Sequence, residues 1–338
     1  MFQRFLRNFF AKIFYPTNRT DWYKAKKYKG QDEESIFSDF VATQRQKGAR
    51  FYSDFQSLQL NRQYIISGND RLDSVLIMPN QEVSLGKRGA GFYFVFFQGR
   101  EEYYECRFRD MARQARATGA AVLGFNHKGF KSSTGKTLCL SDMVDDGIAV
   151  VEFLLQRGVP YEKIIVQGNS LGAGVQEMVS EHYRAIRGRP LRQINSNSFK
   201  SLAAVFAHHY KTPFLEKILG KILKYSGWEI TAGADFYTLG PYRCHLRRFG
   251  DGIIVEGAEY HSMIDFHKNY ELCIEDYKET YRWLYEHSQI TYKGSSKKDP
   301  HIAALHHFQV KSKDSGKYIS VYEVINVYLE YCAKNPTD

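Results

Sequence analysis

The chain has 338 residues, 43% hydrophobic, 25% charged and 15% aromatic, which excludes a disordered or fibrous chain and leaves room for one large α/β core or two modest domains. Its net charge of +10 is uneven: Arg4, Arg7, Lys12, Arg19, Lys24, Lys26, Lys27 and Lys29 stand against Asp21 alone in residues 1–30, so the remainder is near neutral and a nucleic-acid-binding core is excluded. No apolar run approaches the roughly 18 residues of a membrane span, and five scattered cysteines (Cys106, Cys139, Cys244, Cys273, Cys332) favour a reducing compartment over a disulfide framework.

Residues 2–14 divide cleanly on a helical projection. Phe2, Phe5, Leu6, Phe9, Phe10, Ile13 and Phe14 share one face, opposite Arg4, Arg7, Asn8, Ala11 and Lys12. Such a helix either lies on an anionic membrane surface, helped by Lys24–Lys29, or packs its phenylalanines on the protein's own core. Cations interrupt every apolar stretch, so no cleaved signal peptide is expected. Residues 31–55 read as polar and helical, giving an N-terminal segment of residues 1–55 ahead of a main domain of 56–338.

Alternation then begins. Ser57–Ile66 and Arg71–Met78 predict a strand hairpin around Ser67–Asp70. The continuous run Gly91–Phe97 suits a central buried strand. A helix over Glu101–Thr118, a strand over Ala120–Phe125 and a helix over Leu140–Arg157 follow, then a strand at Lys163–Gln167 and a helix to about Ile186. Arg192–Asn195 predicts another strand, and residues 205–240 a small, irregular helical cap. Strands near Leu246–Phe249 and Gln289–Lys293 flank a helix over Asp265–His287, and a last helix covers Tyr318–Cys332. This order predicts an α/β fold, a mostly parallel sheet with helices on both faces.

Within it, Ile164-Ile165-Val166-Gln167-Gly168-Asn169-Ser170-Leu171-Gly172 places Gly-x-Ser-x-Gly between a strand and a helix, the sequence form of a nucleophile elbow. Ser170 then requires an acid and a base later in the chain, in that order. Asp251, in the turn Gly250-Asp251-Gly252 just past a strand, is the acid candidate; Asp235 and Asp265 are weaker ones. The base candidates are His301, after a polar loop, and His306 and His307. Oxyanion donors are expected from the Leu171 amide and from the Gly99 or Arg100 amide after the central strand.

Gly129–Thr137 imitates a phosphate loop but has five residues between its glycines where four are required, so nucleotide binding is not expected. The remaining histidines, His208, His209, His245, His261 and His267, show no metal-ligand spacing, so neither metal nor cofactor is implied.

The elbow, the loop Phe125-Asn126-His127-Lys128-Gly129-Phe130-Lys131-Ser132-Ser133-Thr134-Gly135 and the turn Gly250-Asp251-Gly252-Ile253-Ile254 together resemble the α/β-hydrolase superfamily over about residues 57–335. The chain is also similar to SidB-like, lipase-type hydrolases among bacterial secreted effectors and to related chlamydial proteins. The resemblance implies an α/β-hydrolase fold and a Ser170-Asp251-His301 triad cleaving esters or thioesters, with lipids or acylated substrates at a membrane surface among them. It places the protein in the cytoplasm or in a host cell. Gln98-Gly99 stands where the superfamily usually has His-Gly, and the interval from Asp251 to His301 is long. The rival expectation is a catalytically silent α/β-hydrolase-fold binding module.

Overall fold

The computed structural model describes residues 2–14, 32–46, 57–230, 243–248, 278–287, 289–292, 308–312 and 315–334. Among these, ten strands form one sheet in the order β1-β2-β4-β3-β5-β6-β7-β8-β9-β10. They are β1 Leu58–Ser67, β2 Asp70–Pro79, β3 Tyr93–Phe97, β4 Ala121–Phe125, β5 Ile164–Asn169, β6 Arg192–Ser196, β7 Arg243–Arg248, β8 Gln289–Tyr292, β9 Phe308–Lys311 and β10 Tyr318–Ser320. The six strands from β4 to β8 run parallel; β1 and β2 at one edge and β9 and β10 at the other are antiparallel to their neighbours.

The central strands are buried on both faces, and their alternation divides the core in two. Phe94, Phe96, Val122 and Ile165 face one layer. It contains α2 (Glu33–Gln46), α4 (Tyr104–Thr118), α9 (Lys278–Glu286) and α10 (Val321–Lys334). Val95, Phe97, Leu123 and Val166 face the other. There lie α1 (Phe2–Phe14), α5 (Leu140–Gln156), α6 (Leu171–Arg187), α7 (Leu202–His209) and α8 (Glu216–Ser226). A short α3 spans Gln81–Ser84.

The hairpin β1–β2 closes through Gly68 and Asn69, with Gly68 at φ +61°, where glycine accepts the positive angle at no steric cost. Two expectations are corrected. The helix expected from Glu101 starts at Tyr104, because Glu101 adopts φ 61° and residues 99–102 form a turn. Tyr318–Ser320 is a strand, not the first turn of the last helix, because it pairs with β9. In and beside residues 205–240, where a cap was expected, lie α7 from Leu202 and α8 from Glu216; residues 231–242 lie outside the described residues.

Helix α1 divides along its length. Phe14 is 3% exposed, tilted against Trp228 and edge-on to Phe206 with ring centroids 5.3 and 5.4 Å away, and Ala11 is also buried. Phe2, at 65%, Phe5 and Phe9 stay exposed. No helix among the described residues is long and apolar enough to cross a membrane.

Candidate active site

Ser170 joins the end of β5 to the start of α6, with φ 53° and ψ −120°. A side-chain-bearing residue there is strained by about 1–3 kcal/mol and persists only where its surroundings hold it. They do so through close backbone packing. A Cβ on Gly168 would lie 2.6 Å from the Ala173 nitrogen, and one on Gly172 only 2.3 Å from the Gln98 carbonyl oxygen. The Ser170 N–H donates to the Ser196 carbonyl at 3.1 Å, tying the turn to β6. Leu171 is the first residue of α6, so its N–H has no intrahelical acceptor and points from the positive end of the helix.

The loop after β3 is organised by Glu102. Its Oε2 accepts the Gly99 N–H at 2.9 Å, its own N–H donates to the Gly99 carbonyl at 3.2 Å, and its Oε1 pairs with Arg107. Gly99's amide is therefore occupied. Arg100's amide forms no hydrogen bond among the described residues. Gln98 is turned toward β4: its side chain donates to the Phe125 carbonyl at 2.6 Å and fastens the end of β3 to that strand.

Ser170, Leu171, Gly99 and Arg100 line one cavity of ≈ 340 Å³, within the size range of small-molecule sites. Ser170 is 7% exposed at its floor. Phe14, Phe199, Leu202, Val205 and Phe206 make an apolar wall, while Glu101, Glu102, Asn169, His209 and Tyr210 add polar atoms. Most of these were not singled out in the sequence. The apolar face of residues 2–14 and the expected cap were the available signals, and neither says which residues meet Ser170.

Asp251, His301, His306 and His307 lie outside the described residues. In chain order Asp251 follows the last residue of β7 by three positions, and the three histidines fall between β8 and β9.

The loop of residues 126–137 is held by hydrogen bonds from its hydroxyls to itself and to β2. The Ser133 hydroxyl donates to the Asn126 carbonyl at 2.8 Å and accepts from the Asp73 N–H at 2.8 Å; Thr134 bonds Asp70, and Thr137 bonds the Lys128 carbonyl. Its hydroxyls thus serve the chain itself. Below it, Asp146 accepts from Ser67 at 2.8 Å and from the Lys128 amide at 3.0 Å, and meets the His127 ring at 3.2 Å. Burial alone would raise this carboxyl, but the His127 ring and the Lys128 amide and ammonium outweigh it and hold it below its ordinary range.

No family model and no curated protein matches the chain. Solved structures similar to it include an alpha-beta hydrolase from Vibrio vulnificus, at TM-score 0.48 and 14% identity over 73% of this chain and 75% of that one. An esterase/lipase from an uncultured bacterium matches at TM-score 0.41 and 16% identity, over 73% and 76% of the two chains. An esterase of Pyrococcus furiosus matches at 0.38 and 15%, over 69% and 79%. The strand order, the antiparallel β2 and the strained serine between β5 and α6 make this an α/β-hydrolase fold.

Proposed function

We propose that the chain is a serine hydrolase that cleaves carboxylic esters or thioesters through an acyl-enzyme. The observation that carries this is Ser170 itself, held at a positive φ at the head of α6 and opening into an apolar cavity. Ser170 Oγ attacks the substrate carbonyl carbon while its proton passes to the imidazole of His301, oriented by Asp251. The C=O π pair moves onto oxygen. The Leu171 and Arg100 N–H groups receive that oxyanion, since the Gly99 N–H is already given to Glu102. Collapse expels the alcohol or thiol, which takes the proton from His301. Water, deprotonated by the same imidazole, then releases the acid and restores Ser170. The wall of Phe199, Leu202, Val205, Phe206 and Phe14 suits the acyl chain, so lipid or acylated substrates at an anionic membrane surface fit the site.

A fluorophosphonate probe tests the assignment. Wild-type protein is expected to label and Ser170→Ala not to. Unlabelled wild type, or labelling that survives Ser170→Ala, would overturn it, and the former would favour a silent binding module.

A further inference from the structure

Fourteen large hydrophobic side chains are exposed among the described residues, and eight of them fall on α1 and on residues 210–225. On α1 they are Phe2, Phe5 and Phe9, spaced i, i+3, i+7 along one stripe. On α8 they are Ile218, Ile222 and Tyr225, spaced i, i+4, i+7, with Phe214, 76% exposed, just before the helix. One helical position away from the α8 stripe runs a parallel row of exposed lysines, Lys217, Lys221 and Lys224. The two helices touch. The Gln3 side chain donates to the Tyr225 carbonyl at 2.9 Å, and the Trp228 indole N–H donates to the Arg7 carbonyl at 3.3 Å. The stripes therefore belong to one side of the molecule.

Charge on this side is one-sided. Residues 2–14 and 210–226 hold Arg4, Arg7, Lys12, Lys211, Lys217, Lys221 and Lys224 against the single acid Glu216. Glu216 is itself engaged by Lys200 at 3.3 Å and His208 at 3.4 Å. Two amphipathic helices, each with an uncovered apolar stripe and flanking cations, match an interface where acyl chains lie beneath anionic headgroups. A protein partner of ordinary surface composition would not need a row of lysines beside an aromatic and aliphatic patch with so few acids.

We infer that α1 and α8 together form a docking face for an anionic bilayer, and that docking presents the mouth of the Ser170 cavity to the lipid. Both helices lead to the cavity along the chain. Phe14, the last residue of α1, forms part of its wall, and Tyr210, 67% exposed, lines it and begins the segment that leads to α8. The substrate class that follows is an ester of a bilayer-resident lipid, its chain passing from the membrane into the apolar wall. That second step rests on the hydrolase assignment; the docking face does not.

Co-sedimentation of the full chain, carrying Ser170→Ala so that turnover plays no part, tests the face directly. The probe is phosphatidylcholine vesicles with and without phosphatidylserine. Binding is expected only with phosphatidylserine, and to fall as salt rises. Reversal of Lys217, Lys221 and Lys224 to Glu, and separately Ile218→Ser with Ile222→Ser, should each lower partitioning at least about tenfold. Ile66→Ser with Leu85→Ser, exposed apolar residues elsewhere, should not change it. Thermal midpoints close to that of the parent protein establish that the variants are folded. Absence of binding, or binding indifferent to the α8 changes, overturns the inference. So does a concentration-dependent dimer that the α8 changes dissociate in protein that ignores vesicles, because the face is then covered by a second copy. Loss of fluorophosphonate labelling in wild type would remove the catalytic assignment and leave the vesicle result standing.

Discussion

An alanine at Gly172 would place its Cβ 2.3 Å from the Gln98 carbonyl oxygen and 2.4 Å from that of Phe97. Neither backbone atom can yield without moving β3 away from α6, so Gly172→Ala should destabilise by at least about 2 kcal/mol in urea unfolding. Gly220, on α8, is the control. Its nearest neighbour to an added Cβ is the Ala203 Cβ at 3.7 Å, and Gly220→Ala should stabilise by about 0.5–1 kcal/mol, since alanine loses less freedom on entering a helix. Glu102 acts differently from either glycine. It shapes the loop carrying Gly99 and Arg100 by accepting from one amide while Arg107 holds its other oxygen. Glu102→Ala should lower kcat for a soluble ester roughly ten- to hundredfold with a smaller change in KM, as expected when a donor to the transition state is misplaced. Glu102→Gln keeps an oxygen for the Gly99 N–H and should recover most of the loss, which a merely destabilised protein would not do.

At the scale of elements, an ionisable weak point, Glu229 just after α8, faces the start of α7. Burial pushes the Glu229 carboxyl up to about 7; the Leu202 and Ala203 amides oppose the shift and Glu216 adds to it. A carboxyl whose pKa is higher folded than unfolded favours the folded state while protonated, and this stabilisation is lost as pH rises from its ordinary value through about 7. Glu229→Gln should therefore melt above wild type at about pH 8.5, with the gap closing toward about pH 4.5. No gap at the higher pH would show that the carboxylate is relieved when charged. The central strands β3, β4 and the start of β5 were legible because they are buried and read as short apolar runs. Elements decided by distant partners were not: Tyr318–Ser320 carries helical spacing and becomes a strand only because β9 lies beside it. The site divides in the same way. Ser170 and Leu171 were visible because an elbow is local, whereas Phe14 reaches the same cavity from the far end of the chain through tertiary packing alone.

For the whole molecule, the strand order limits which histidine can serve Ser170. Ser170 follows β5, while Phe308, the first residue of β9, pairs with Tyr292 at the end of β8. β9 lies four strands from β5, a separation of about 19 Å at the usual spacing. The register adds a further offset along the strands, since Asn169 pairs Ser196, Ser196 pairs Leu246 and Arg248 pairs Ile290. A residue travels at most about 3.6 Å of chain. His307, one residue from Phe308, and His306, two residues away, thus bring their rings no farther than about 10 and 13 Å from that anchor, short of Ser170. His301, seven residues away, has about 25 Å of chain, enough to reach across that distance. Under the proposed triad, the length of the β8–β9 connection would let His301 serve as the base. His301→Ala should reduce ester hydrolysis at least about a thousandfold and abolish fluorophosphonate labelling. His306→Ala and His307→Ala should each stay within about threefold of wild type, as changes out of reach of the reacting group do. Strong loss in either of those two, with His301→Ala active, would mean that the chain approaches Ser170 from another direction.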